Sequence, residues 1–134
     1  FKAYIVNEKG NEIVFHFPIE DWWVCDINSF YFGEPATIQF ETIEDCKLLS
    51  INASNMAMLK EKNHKFEIAF NNLLKRYIVS IQKKYFDLLS LTANERYNVF
   101  INQYPSLVQR VPLKSIASYL GITPEFLSKM RAKK

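Results

Sequence analysis

The stretch Leu113–Ala132, LKSIASYLGITPEFLSKMRA, constrains the fold more than any other part of the sequence. Ala117 is a small residue at a point where two helices can cross, and Gly121 can take the left-handed backbone of a tight turn. Thr123 can cap a second helix that begins at Pro124, where a missing N–H costs nothing. The pattern predicts two short helices joined by a turn at Gly121.

Apolar residues recur in this stretch at the positions that would close the two helices on each other. They are Ile116, Leu120, Ile122, Leu127 and Met130. The combination is typical of a helix-turn-helix, a motif that places its second helix in the major groove of DNA. The alternative is a helical hairpin that only packs against the rest of the chain. DNA is the expected partner.

The charge distribution along the chain favours the same partner. Residues 1–51 carry three basic and nine acidic side chains, residues 52–104 carry eight and four, and residues 105–134 carry six and one. The net charge therefore runs from −6 through +4 to +5. A basic surface attracts the phosphate backbone of DNA without regard to its sequence. The positive end of the chain coincides with the predicted helix-turn-helix.

Short β-rich segments dominate the first third of the chain. Residues 1–6 and 13–17 flank the polar turn NEKGNE and predict a hairpin, which alone would be marginal in water. Further strands are expected around 37–42 and 46–51, after a second turn at Gly33-Glu34-Pro35. The first residue is Phe, inside a strand, so an N-terminally truncated chain is expected. The fold class predicted is α+β, with a partial antiparallel β-roll.

Trp22 and Trp23 lie next to each other in this region. One interpretation places both in a ligand cavity. The other follows from strand geometry: adjacent residues face opposite ways, so one tryptophan would lie in the core and the other would cover it.

A long helix is predicted over residues 63–89, which contain neither Pro nor Gly, after a shorter helix from Asn52 to about Lys62. Apolar residues form two lines at helical spacing, so the helix needs two packing partners. One partner is expected to be the chain's own sheet, and the other could be the same helix of a second subunit, as in a parallel coiled coil. The alternative is a helix sandwiched inside one domain. The expected dimer contacts are Phe70, Leu74, Tyr77, Ile78, Ile81, Tyr85 and Leu88.

A capping box, Thr92-Ala93-Asn94-Glu95, predicts a new helix over 93–104. Ser90 and Leu91 before it are expected to form a hinge. The resulting division is a partial sensor β-roll with a short helix (1–62), a dimerisation helix and hinge (63–91), and a DNA-binding domain (92–134).

Cys25 and Cys46 lie far apart, without a CxxC pair, and are expected to be buried free thiols of a cytoplasmic protein. His16 and His64 are isolated, so no metal site is expected. No long apolar run predicts a membrane span. No nucleophile with its base, carboxylate pair or glycine-rich phosphate loop can be assembled, so an enzyme is not expected.

The order of a short-stranded β-domain, a long helix, a hinge and a helix-turn-helix resembles the Crp/Fnr transcription regulators, along the whole chain. The most specific segments are GNEIVFHFPIEDWW, LTANERY and RVPLKSIASYLGITPEFLSKMR, which look most like Bacteroidetes-type members. The resemblance implies a cyclic-nucleotide-binding-type jelly roll, a homodimer on a palindromic DNA site, and a winged-helix-like domain whose wing is incomplete or absent.

The resemblance also allows a test of the effector. Members that bind cyclic nucleotides hold them with a Gly-Glu pair and, about ten residues later, an Arg-Ser or Arg-Thr pair. Aligned without gaps, these positions fall on Cys25-Asp26 and Ala36-Thr37, and no basic residue lies between Lys9 and Lys47. An unpaired phosphate in a buried pocket is costly. A degenerate pocket without a cyclic nucleotide is therefore expected, the alternative being a regulator that binds one; the effector is otherwise open.

Roles in the second helix follow from family position. The outward residues are Thr123, Pro124, Glu125, Ser128 and Lys129. Glu125 would accept a hydrogen bond from a cytosine amino group, and Lys129 would donate to guanine or a phosphate. The expected backbone contacts are Thr123, Lys114, Arg110 and Arg131. Pro124 departs from the family, whose better-known members carry a guanine-reading Arg there. A rival interpretation is a sensor protein that uses the motif to bind another protein.

Overall fold

The structure, a computed structural model, describes residues 1–132 and has a mixed α+β architecture. Its contacts divide the chain into two compact units. One joins residues 1–46 to the chain from Thr92 onward, and the other is Lys47–Leu91. The contact boundary after Leu91 coincides with an expected one, whereas the boundary after Cys46 does not match the one expected at 62. The functional division stays a prediction.

A three-stranded antiparallel sheet is formed by β1 (Lys2–Val6), β2 (Glu12–His16) and β3 (Gln39–Glu41), in the order β2-β1-β3. The predicted hairpin is therefore confirmed. Its turn is held by the Asn7 carboxamide oxygen, which accepts hydrogen bonds from the backbone N–H of Lys9 and Asn11, both at 3.0 Å. The sheet that the hairpin needs is completed by β3 from the same chain.

Lys2 of the central strand joins all three strands through its ammonium group. Its Nζ lies 2.6 Å from Oε2 of Glu12 and 3.1 Å from Oε2 of Glu41, and its side chain is buried. Burial alone would lower the pKa of Lys2, but the two carboxylate partners outweigh it and raise that pKa. The buried charge is therefore fully paired.

Two expectations for this region are wrong. Residues 46–51 form no strand, since no strand in the described chain pairs with them; Leu49 projects fully into solvent. Trp22 and Trp23 follow a turn at Asp21, whose φ is 63°, instead of lying in a strand. Both tryptophans are exposed, so neither is a core residue. Trp22 stacks on the ring of His16, with centroids 5.2 Å apart.

The expectation of buried thiols is also wrong, because Cys25 and Cys46 are both exposed. Each lies in irregular chain outside the sheet, where no core covers it. Just after Cys25, a helix that was not predicted, α1 (Ile27–Phe32), runs from the cap Asp26 to Gly33, which ends it with φ of 74°.

The unit Lys47–Leu91 is a helical pair, α2 (Ala53–Lys62) and α3 (His64–Ser90). Both helices match the predicted ranges within one residue. The Asn52 side chain caps α2 by accepting from Asn55 N at 2.8 Å, and Asn63 caps α3 by accepting from Phe66 N at 3.1 Å. Phe70 is buried, and Nζ of Lys60 in α2 lies 4.4 Å from its ring centroid.

Four helices follow: α4 (Ala93–Gln103), α5 (Leu107–Arg110), α6 (Leu113–Leu120) and α7 (Pro124–Ala132). The capping box of α4 is confirmed. The Thr92 backbone N–H donates to Glu95 Oε2 at 2.8 Å, and the Glu95 N–H donates to Thr92 Oγ1 at 3.4 Å. The helix α5, one turn long, was not predicted.

A single core joins the sheet to these helices. The sheet and the residue after it contribute Tyr4, Val14 and Phe17. The helical side contributes Tyr97, Phe100, Leu107, Ile116, Leu120, Leu127 and Met130. Phe17 lies 6.1 Å from Phe100 and 5.2 Å from Tyr119 between ring centroids. Through β2, the sheet therefore packs directly on α6.

Across residues 1–132, no helix combines the length and apolar character needed to cross a membrane.

Candidate nucleic-acid interface

The turn between α6 and α7 is built as its sequence predicts. Gly121 has φ of 69°, and its N–H donates to the carbonyl of Ser118 at 3.0 Å. The N–H of Ile122 donates to Ala117 O at 3.0 Å, which completes a Schellman-type end of α6. Thr123 Oγ1 then accepts from Phe126 N at 3.2 Å, which caps α7. The turn fixes the direction in which α7 leaves α6.

The inner faces of the two helices are fully packed. Ala117 and Leu127 are completely buried, and Ile116 is 1% exposed. The small side chain at 117 permits this close crossing, as expected, and Leu120 and Met130 lie in the same core. The outer face of α7 is therefore fixed by the burial of its inner face.

Most of the residues assigned to DNA are exposed. Pro124 and Arg110 are partly buried, and the exposed residues are Lys114, Thr123, Glu125, Ser128, Lys129 and Arg131. Glu125, Ser128 and Lys129 have i, i+3 and i+4 spacing and so share one face of α7. That face presents an acceptor, a hydroxyl and a cation side by side. Such a set can contact base edges and phosphates.

The α6–α7 pair is held from two sides by residues that the sequence did not single out. Arg96 of α4 donates from Nη2 to the carbonyl of Leu120 at 3.0 Å, at the end of α6. Ser118 Oγ accepts from Val14 N and donates to Glu12 O, both at 3.0 Å, along β2. Partners so far apart in the chain leave no local sequence signal.

Arg110 has two carboxylate partners. Its Nε donates to both oxygens of Glu44, at 3.1 and 3.3 Å, and its Nη2 donates to Glu44 and to Oε1 of Glu20, the latter at 2.6 Å. The Arg110 hydrogen bonds lower the pKa of both glutamates, and Glu44, then Glu20, raise that of Arg110. The phosphate contact assigned to Arg110 competes with these ion pairs.

The two halves of the predicted effector cassette, Cys25-Asp26 and Ala36-Thr37, lie together because the Asp26 side chain accepts hydrogen bonds from Thr37. The Oδ1 atom of Asp26 accepts from the N–H of Asn28 and Ser29, at 3.1 and 3.3 Å. Its Oδ2 accepts from the N–H of Thr37 at 2.8 Å, from the Thr37 hydroxyl at 3.3 Å and from the N–H of Ile38 at 3.0 Å. Backbone donors, Ile38 first, lower the pKa of Asp26 to about 2.

These contacts limit what the cassette can bind. The Asp26 carboxylate, which would face an effector in the aligned family position, is saturated by its own chain. Ala36 and Cys25 are exposed and supply no charge. In the part of the chain that the structure describes, no group of three or more His, Cys, Asp or Glu residues could hold a metal ion.

The residues assigned to a dimer contact divide into two sets along α3. Phe70 is buried beside α2, and Leu74 and Tyr77 are partly buried. The remaining four are Ile78, Ile81, Tyr85 and Leu88, which are 56, 49, 57 and 54% exposed. The C-terminal half of the line is therefore an apolar surface open to solvent.

Comparison of the chain with models of protein families, with curated proteins and with solved structures found no match.

Proposed function

We propose that this chain is a DNA-binding transcription regulator of the Crp/Fnr type, in which α6 and α7 form the helix-turn-helix. The observation that carries the proposal is the outer face of α7. Its inner face is locked by Leu127 and Met130, and the outer face carries Glu125, Ser128 and Lys129 in one row. Lys114 and Arg131 are exposed cations near the row in sequence, as a DNA-reading helix requires.

The regulator acts as a homodimer joined through α3. The four exposed apolar residues of that helix, Ile78, Ile81, Tyr85 and Leu88, supply the contact. Two α7 helices then enter successive major grooves, about 34 Å apart, on a palindromic site. The effector pocket is degenerate, and cyclic nucleotides do not bind, since Asp26 is occupied and Ala36 stands where the family has Arg.

Salt-dependent binding to DNA tests the proposal. Footprinting on genomic fragments identifies a site, and binding to a duplex of that site is then measured over a range of salt concentrations. Lys114→Ala or Arg131→Ala should weaken binding to all duplexes alike and lower the salt slope by about one unit per subunit. Lys65→Ala, an exposed lysine at the start of α3, is the matched control and should leave the slope unchanged.

A protein-binding role for the same two helices is the second candidate. Phe126 favours it, because this residue of α7 is 46% exposed beside Glu125. Absence of any duplex affinity at low salt would rule out the DNA-binding proposal and leave this candidate.

A further inference from the structure

Arg110 lies close in sequence to Lys114, an expected phosphate contact. Lys114 is four positions further along the chain, so the two Cα atoms lie within about 14 Å of each other. The Arg110 side chain is 31% exposed, and a ligand can therefore reach it. Both residues are expected contacts of the DNA backbone, and this inference rests on the proposed function.

The partners of Arg110 imitate a phosphate. A carboxylate and a phosphodiester both carry one negative charge and both accept two parallel N–H bonds from a guanidinium group. Glu44 does so through Nε and Nη2, and Glu20 adds a second carboxylate on Nη2. One cation and two anions leave a net charge of −1 at this place on the surface, which repels DNA.

The ion pairs of Arg110 differ from those of Lys2, which join the strands of the sheet. Lys2 also lies between two glutamates, but its side chain is 9% exposed and its partners are on paired strands. Arg110 is more exposed, and its partners Glu20 and Glu44 lie outside the strands. Partly exposed ion pairs are weak, and a polyanion can displace them.

We propose that Glu20 and Glu44 act as an internal substitute for DNA phosphate that masks Arg110 and holds the regulator in a weakly binding state. The two glutamates flank residues 21–43, which contain the effector cassette tied together by Asp26. A shift of this segment withdraws both carboxylates together. It thereby releases one phosphate contact per subunit.

The test compares salt slopes of duplex binding for four proteins: wild type, Glu20→Gln/Glu44→Gln, Arg110→Ala, and the triple variant. Arg110→Ala alone should leave the slope of the wild type unchanged, because the masked guanidinium contacts no phosphate. The double variant should bind up to about tenfold more tightly per subunit, with a slope steeper by about 0.9 per subunit. Adding Arg110→Ala to it should remove that increment.

Glu34→Gln/Asp45→Asn is the matched control, since it removes two exposed charges from the same region without touching Arg110. Equal gains from the control and the Glu20/Glu44 variant would overturn the inference. It would also be overturned if Arg110→Ala lowered the slope equally in both backgrounds, while DNA binding itself stood. Loss of all duplex affinity in wild type and variants would overturn the proposed function and the inference with it. Circular dichroism checks that each variant is folded.

Discussion

Glu125 is the residue whose chemistry most sharply separates base reading from backbone contact. It is exposed on the outer face of α7 and, as a carboxylate, can only accept hydrogen bonds. A phosphate offers it nothing but repulsion, whereas the amino group of cytosine is a donor. If α7 reads DNA, as proposed, Glu125 is therefore expected to face bases.

Glu125→Ala should relax the preference at one position of each half-site, with about 1–3 kcal/mol of discrimination lost. The measurement is competition binding with duplexes that vary one base pair at a time. Lys114→Ala is the control and should weaken all of these duplexes equally. If Glu125→Ala left the preferred sequence unchanged while Lys114→Ala altered it, the assigned orientation of α7 would be wrong.

Asp26 determines how its segment responds to acid. The pKa of its carboxyl falls from 3.8 to about 2 on folding, so the ionised form is stabilised in the folded chain. This stabilisation is complete above the unfolded pKa and is lost as the pH falls from about 4 to about 2. Hydrogen exchange of the Thr37 and Ile38 amides should accordingly show protection that declines over that range.

Asp26→Asn should remove this pH dependence, because an amide group cannot offer two acceptor oxygens to the donors of residues 28–29 and 37–38. Protection of Thr37 and Ile38 should then be low at every pH. Asp45→Asn, an exposed carboxyl elsewhere in the segment, is the control. Unaltered protection in Asp26→Asn would show that these hydrogen bonds do not hold the two halves of the cassette together.

Among the elements, the α6–α7 pair depends on a backbone conformation that few residues adopt. A Cβ added at Gly121 would meet nothing within 4 Å, so substitution there is limited by φ alone. Gly121→Ala should therefore lower the free energy of unfolding by about 1 kcal/mol, measured by thermal or chemical denaturation. Gly121→Asn should cost less, since Asn tolerates the left-handed region. Equal losses would mean that φ is not what limits this position.

Local signals explain why some elements were predictable. A capping residue, a box or a turn glycine acts within four residues, so Asn52, Thr92 and Gly121 marked helix ends to within one residue. The helix α1 carried a similar signal, Asp26 at its start and Gly33 at its end. With Asp26 assigned to an effector pocket and Gly33 to a turn between strands, this helix is not predicted.

Other features that the sequence did not predict depend on partners distant in the chain. Residues 46–51 are apolar enough for a strand but lack a neighbouring strand, which their own sequence cannot reveal. The docking of β2 on α6 joins residues 104 apart, and the pairs of Arg110 span 66 and 90 positions. Such contacts depend on the whole packing arrangement. The exposure of the candidate DNA-binding residues of α7 was nevertheless predictable, because helical periodicity determines which face of the helix is buried.

For the whole molecule, the proposed dimer depends on the exposed apolar line on α3. The intact protein should be a dimer at micromolar concentration, measured by light scattering. Ile81→Glu/Leu88→Glu should give a monomer, because like charges would then face each other in an apolar contact. Helix content should not change, since both side chains are about half exposed. Val79→Glu, also exposed but off the line, should remain dimeric; a monomeric wild type would contradict the coiled-coil proposal.

The bridge from Ser118 to β2 affects how the protein behaves at high concentration. An outer strand with unpaired N–H and C=O groups is a template for strands of other molecules, and so a route to aggregation. On β2, the Ser118 hydroxyl accepts a hydrogen bond from Val14 N and donates one to Glu12 O. A helix side chain therefore occupies backbone groups that a fourth strand would otherwise pair with. The opposite edge, β3, is only three residues long and so a poor template. The Ser118 bridge thereby closes part of the outer edge of β2 to a strand of another molecule.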